Sequence, residues 1–84
     1  MVAPTDAWQY KSEDLSVSND TVVKSGWCVG LRVVNDSSSA DAEFKINGGD
    51  TIKLKPSQGF VANTSGKLRD PNIEWVSGAM NVVI

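Results

Sequence analysis

Histidine is absent from this sequence, and cysteine occurs once, at Cys28. The first absence removes imidazole as a general base, as the activator of a serine nucleophile and as a zinc ligand. The second removes any internal disulfide, and Cys28 reads as a small apolar filler. The opening residues "MVAPTDAWQY" lack a basic region followed by an apolar segment, so no secretory signal is expected there. No apolar run approaches the ~18 residues of a membrane helix. A strong charge of either sign is also missing: eight Lys and Arg stand against ten Asp and Glu, a net charge of -2. The acids gather early (Asp6, Glu13, Asp14, Asp20, Asp36, Asp41) and the bases late (Lys45, Lys53, Lys55, Lys67, Arg69). That mild asymmetry argues against sequence-independent nucleic-acid binding, which needs a strongly basic face.

At 84 residues the chain is expected to form one β domain, residues 1–84. The N-terminal ~12 residues read as an extended arm or edge strand. A domain of this size buries only about 60–65% of its unfolded surface. With disulfides and histidine-bound metals missing, oligomerisation or docking onto something larger becomes the expected source of added stability.

What is present is β-type patterning. Val, Ile and Thr recur, turn residues punctuate them at short intervals, and no helical periodicity stands out. The expectation is an all-β fold, a small antiparallel β-sandwich or jelly-roll-like barrel of about 7–9 short strands. Candidate strands cover residues 7–11, 14–18, 21–25, 27–35, 41–46, 51–55, 59–62, 72–76 and 79–84. The intervening "SND", "NDSSSA", "NGG", "KPSQ", "NTSGKLRDP" and "SG" have turn composition.

Side-chain parity sets expected registers. Phe44 and Ile46 must share a face with Ile52 and Leu54, which requires an odd loop. A three-residue Asn47-Gly48-Gly49 loop meets that need, puts Phe44 opposite Ile52 and Glu43 opposite Lys53, and assigns the left-handed bulge position to Gly49. A two-residue Ser77-Gly78 turn sets Trp75 opposite Met80 and Ile73 opposite Val82, with the final strand held inside a sheet. Along "GWCVGLRVVN", Trp27, Val29, Leu31 and Val33 read as core; Cys28, Gly30, Arg32 and Val34 take the other face.

Constellations with chemistry are sparse. Glu13 and Asp14 are neighbours and point to opposite faces of a strand, a poor acid–base pair. Asp36 with Asp41, Asn47 with Asp50, and Asp70 with Asn72 are spaced as turn formers rather than as a dense calcium loop, so no metal and no cofactor are expected. Three glycosylation sequons begin at Asn19, Asn35 and Asn63, as a chain rich in Asn, Ser and Thr produces by chance. Lys45, Lys53 and Lys55 share the outer parity of the first hairpin. Together with Arg32 they form the candidate docking surface, although a solvated charged face is the commoner meaning of such a pattern. Trp8 and Tyr10, in a weak edge segment, are the candidate sugar-stacking aromatics.

The segments "RVVNDSSSADAEFKI", "TIKLKPSQGF" and "IEWVSGAMNVVI" together carry a pattern of inward strand, turn, proline-glycine shoulder and closing hairpin. In this pattern the chain resembles the small β-sandwich structural proteins of tailed bacteriophages, the capsid decoration proteins and accessory tail or fibre components. The resemblance implies a non-enzymatic virion protein, made in the host cytoplasm. It implies docking on major capsid or tail proteins as a homo-oligomer or in symmetric copies, with no cofactor, nucleic acid or membrane. The alternative expectation is a carbohydrate-binding adhesin module using Trp8 and Tyr10.

Overall fold

The computed structural model describes residues 11–84, apart from the side chain of Ser65. Among these residues there are eight strands and no helix: β1 (Ser12–Leu15), β2 (Thr21–Val23), β3 (Trp27–Asn35), β4 (Ala42–Ile46), β5 (Ile52–Leu54), β6 (Gly59–Arg69), β7 (Asn72–Ser77) and β8 (Met80–Val83). They form two four-stranded antiparallel sheets, ordered β1-β8-β3-β6 and β2-β7-β4-β5.

The pairing follows one rule. β4 pairs with β5, β3 with β6, β2 with β7 and β1 with β8. Partners such as Ser12 and Val83, or Ala42 and Leu54, lie almost equally far in sequence from the Asn47-Gly48 turn. The described chain is therefore one long two-stranded ribbon, folded at that turn and rolled over itself. The rolling adds two further pairings, β3 with β8 and β4 with β7. This is the connectivity of an eight-stranded jelly roll, in which the two faces of the ribbon become two packed sheets.

The core lies between the sheets. Leu15, Leu31, Val33, Met80 and Val82 project from one; Val22, Ala42, Phe44, Leu54 and Ile73 project from the other. Phe44 of β4 meets Phe60 of β6 edge-to-face, with centroids 5.8 Å apart and planes at 70°. That geometry sets the positive edge of one ring against the negative face of the other. The final strand is held between two neighbours, β1 and β3, and Ile84 extends the ladder by exchanging backbone hydrogen bonds with Lys11 at 2.8 and 2.9 Å.

The first hairpin has the expected pairs, Phe44 opposite Ile52 and Glu43 opposite Lys53. Its turn chemistry differs. The left-handed residues are Asn47 (φ 51) and Gly48 (φ 73), and the Gly49 N–H bonds to the Ile46 carbonyl at 2.9 Å. Positive φ at both central positions makes this a type I′ turn, whose twist matches the flanking strands. Gly49 follows the turn and is not left-handed.

Four other expectations are corrected. Trp75 and Met80 are not hairpin partners: β7 and β8 belong to different sheets, and Gly78 and Ala79 carry the chain from one sheet to the other. β7 and β8 each find two ladder neighbours that way. The stretch "NTSGKLRDP" is not a loop, since β6 runs through it to Arg69. The ladder absorbs the surplus residues as a bulge, because the register against β3 slips between Cys28 and Gly30. That slip inverts the parity of the start of β3, so Cys28 is buried in the core while Trp27 and Val29 face outward. The expected strand at 14–18 stops at Leu15, where Ser16 and Asn19 exchange backbone hydrogen bonds at 3.0 and 3.1 Å. Most of the expected strand at 7–11 lies outside the described residues.

Candidate interaction surface

The four candidate docking residues fall on two different sheets. Lys45, on β4, and Lys53, on β5, belong to the outer face of the β2-β7-β4-β5 sheet, with Lys55 just beyond β5. Arg32 belongs to the β1-β8-β3-β6 sheet. The two faces differ in kind.

On the lysine-bearing face the charges are matched in place. Lys53 stands opposite Glu43 in the ladder, and its ammonium lies 3.3 Å from the Asp41 carboxylate. Lys45 stands opposite Glu74. Lys55 is exposed, and its backbone belongs to a turn: its N–H donates to Gln58 Oε1 at 2.9 Å, and its carbonyl accepts from the Gln58 N–H at 3.0 Å. Opposite charges at these exposed and half-buried positions contribute little stability and keep the face hydrated.

The face bearing Arg32 is built differently. Arg32 has Val61 opposite on β6 and Val83 opposite on β8. Toward the far end of β3 and β6 stand Val29 and then Trp27, which is paired with Arg69. Three apolar side chains are left largely in solvent: Trp27 at 62%, Val29 at 59% and Val61 at 75% relative exposure. The Arg69 guanidinium carbon lies 5.4 Å from the Trp27 ring centroid, a cation–π contact. On its other side, Arg69 Nε is 3.7 Å from the Asp70 carboxylate. Asp70 is itself held in place, its Oδ1 accepting from the Gly26 N–H at 2.6 Å and its own N–H donating to the Gly26 carbonyl at 2.7 Å. The indole is thus flanked by a side chain whose position is set from behind.

The bulge places this surface. The Thr64 hydroxyl donates to the Cys28 carbonyl, tying the bulged part of β6 to β3. The buried Cys28 thiol donates to the Gly30 carbonyl at 3.0 Å, so the cysteine serves the bulge from inside. Strict alternation assigns Trp27 to the core and misses the site. The signal that points to it is Gly30 inside a strand, a common mark of a bulge.

The candidate sugar-stacking residues Trp8 and Tyr10 lie outside the described residues. Among the described residues, no three His, Cys, Asp or Glu side chains stand together in a way that could hold a metal ion. The Asn35 sequon cannot act as a surface acceptor in the folded chain. Asn35 is fully buried, and its amide nitrogen donates to the carbonyls of Ala40 (2.8 Å), Lys55 (3.1 Å) and Leu54 (3.3 Å).

No protein-family model, curated protein or solved structure matches the chain. What the face itself offers is chemical: apolar area, an indole, and guanidinium donors at Arg32 and Arg69. That combination suits contact with another macromolecular surface, where aromatic and Arg side chains supply most of the binding energy.

Proposed function

We propose that this chain is a non-enzymatic virion structural protein, a capsid decoration or accessory tail component that docks on a tailed-phage particle in symmetric copies. The observation that carries the reading is the Trp27–Val29–Val61 stripe flanked by Arg32 and Arg69. Monomeric surfaces carry scattered apolar side chains, but several exposed ones sharing a sheet face with an indole and two Arg residues are typical of docking faces. Jelly-roll connectivity is compatible with the reading, since viral capsid domains use it, yet lectins use it too and fold alone does not assign function. The bacteriophage resemblance in "RVVNDSSSADAEFKI" and "IEWVSGAMNVVI" points the same way. The partner is a capsid or tail protein, the protein acts without a cofactor, and its location is the virion.

The carbohydrate-binding alternative rests on Trp8 and Tyr10, which lie outside the described residues, and draws in addition only on the exposed indole of Trp27. Trp27 itself serves that reading poorly, because the Arg69 guanidinium already lies over the ring, where a sugar would stack.

The test is co-sedimentation of the purified protein with virions from the phage that encodes it, beside the folded Trp27→Ser/Val61→Ser variant. The parent should pellet with particles and the variant should stay in the supernatant. A parent that never pellets and binds a glycan array would overturn the virion reading in favour of the adhesin.

A further inference from the structure

We infer that Asn47 is a site of spontaneous deamidation, held in check by the fold. Six asparagines occur in the chain, and only Asn47 is followed by glycine. The reaction needs the backbone nitrogen of the next residue to attack the asparagine side-chain carbonyl carbon. A side chain on that next residue hinders the approach, and Gly48 has none. Asn47 is exposed, and the space where a Gly48 Cβ would stand is empty to 4 Å, so water and hydroxide reach both reacting groups.

The step balances with water alone. The Gly48 N–H loses its proton to solvent base, the nitrogen bonds to Asn47 Cγ, and ammonia departs, leaving a five-membered succinimide. Water then opens the ring at either carbonyl. One opening yields aspartate. The other yields isoaspartate, in which the main chain runs through the former side chain and is one carbon longer. No oxidant, reductant or enzyme is required.

The folded structure works against the first step. Asn47 Oδ1 accepts the Asn72 N–H at 2.7 Å, while the Asn47 N–H donates to the Asn72 carbonyl at 2.8 Å. The side chain is thereby turned across to the start of β7. Reaching the Gly48 nitrogen requires the amide to leave Asn72 and the type I′ turn to change its backbone angles. Conversion therefore proceeds from a locally opened turn, at a rate scaled by the population of that opening. The outcome matters for the fold because this turn is the midpoint of the ribbon. Aspartate keeps an acceptor for the Asn72 N–H, whereas isoaspartate lengthens the turn and removes the geometry of the Gly49–Ile46 hydrogen bond.

The experiment incubates the purified protein in mildly alkaline buffer, once folded and once in denaturing urea, and follows the mass gain of an amide-to-acid change by peptide mapping. In urea, conversion should appear first at Asn47, and the Gly48→Ala chain should lack it. In the folded protein, conversion should be slower by about tenfold or more. Asn72→Pro removes the N–H that holds Asn47 Oδ1; the variant, shown folded by circular dichroism, should convert several-fold faster than the parent. If that variant does not fold, the parent in sub-denaturing urea replaces it and should accelerate before global unfolding. Early conversion at another asparagine, or equal rates folded and unfolded, would overturn the inference.

Discussion

Gly78 packs directly against the Asp41–Ala42 backbone: a Cβ at this position would stand 2.6 Å from the Asp41 carbonyl oxygen and 2.8 Å from Ala42 Cα. Gly78 also has φ +80, a conformation that L side chains rarely adopt. Just before it, the Trp75 indole N–H donates to the Gly78 carbonyl at 2.7 Å, fixing the passage between the two sheets. Gly78→Ala therefore combines left-handed strain with a backbone clash and should cost about 3–5 kcal/mol. Gly48→Ala meets strain without a clash and should cost only about 1 kcal/mol. Chemical denaturation of both variants checks the contrast, and equal losses would mean that the passage at Gly78 has room to shift.

Asn35 is the buried polar residue at the end of β3, and its side chain gathers three carbonyls from the 36–41 loop and the end of β5. Its Oδ1 accepts the Ser37 N–H at 3.0 Å. Asn35→Ala strands these groups and should lower stability by about 2–4 kcal/mol. Asn35→Asp replaces the donor with an acceptor among carbonyls. Burial and repulsion raise the folded-state pKa of that carboxyl above its unfolded value of about 3.9. The folded variant then binds more protons than the unfolded chain, so its stability is greatest below that value and falls as pH rises through the folded pKa. Melting temperatures measured across the acidic range should show this decline for Asn35→Asp relative to the parent.

Ser57 occupies a position better suited to glycine. Pro56 and Ser57 form the centre of a turn closed by the Gln58 N–H on the Lys55 carbonyl at 3.0 Å, and Ser57 has φ 62. Proline followed by a left-handed residue is a type II turn, which favours Gly or Asn at the second centre. Ser57→Gly relieves strain of about 1 kcal/mol and gives back roughly half of that through a more flexible unfolded chain. The net expectation is a gain of about 0.5 kcal/mol, read as a raised denaturation midpoint with an unchanged slope.

How far the sequence carried the architecture is visible at particular residues. Local alternation and turn chemistry were enough for the Phe44–Ile52 register, because adjacent strands and a short loop leave few choices. The pairing of Trp75 with Met80 failed because a two-residue connection has the same parity whether its strands join one ladder or cross between sheets. Only the contacts of β8 with β1 and β3, far away in sequence, decide between them. Trp27 failed for a related reason: its orientation depends on a bulge created by surplus residues in β6, more than thirty positions later. Alternation is enough to put Lys45 and Lys53 on the outer face, but the Lys53–Asp41 ion pair and the place of Lys45 opposite Glu74 on β7 are tertiary facts. Arg32 was grouped with them although it lies on the other sheet.

That separation gives the two faces opposite expected behaviour. Lys53→Glu/Lys55→Glu breaks the Lys53–Asp41 ion pair, which is exposed and worth about 0–1 kcal/mol. Trp27→Ser/Val61→Ser removes side chains that are already mostly in solvent, so folding should change by about 1 kcal/mol or less. Neither pair should unfold the protein, and circular dichroism melts serve as the control. Docking should separate them. If the Trp27 face is the contact, its double variant loses particle binding while the lysine variant retains it. Arg69→Ala should fall between, since it frees the Trp27 ring from its cation–π partner without removing the indole. The lysine variant should also leave the salt dependence of docking unchanged, whereas Arg32→Ala should flatten it, because an Arg beside Val61 and Val83 is the charge that a partner would desolvate. Titrating particle co-sedimentation against ionic strength for these four variants gives the comparison. Loss of binding in the lysine variant, with binding intact in Trp27→Ser/Val61→Ser, would move the contact to the β2-β7-β4-β5 sheet.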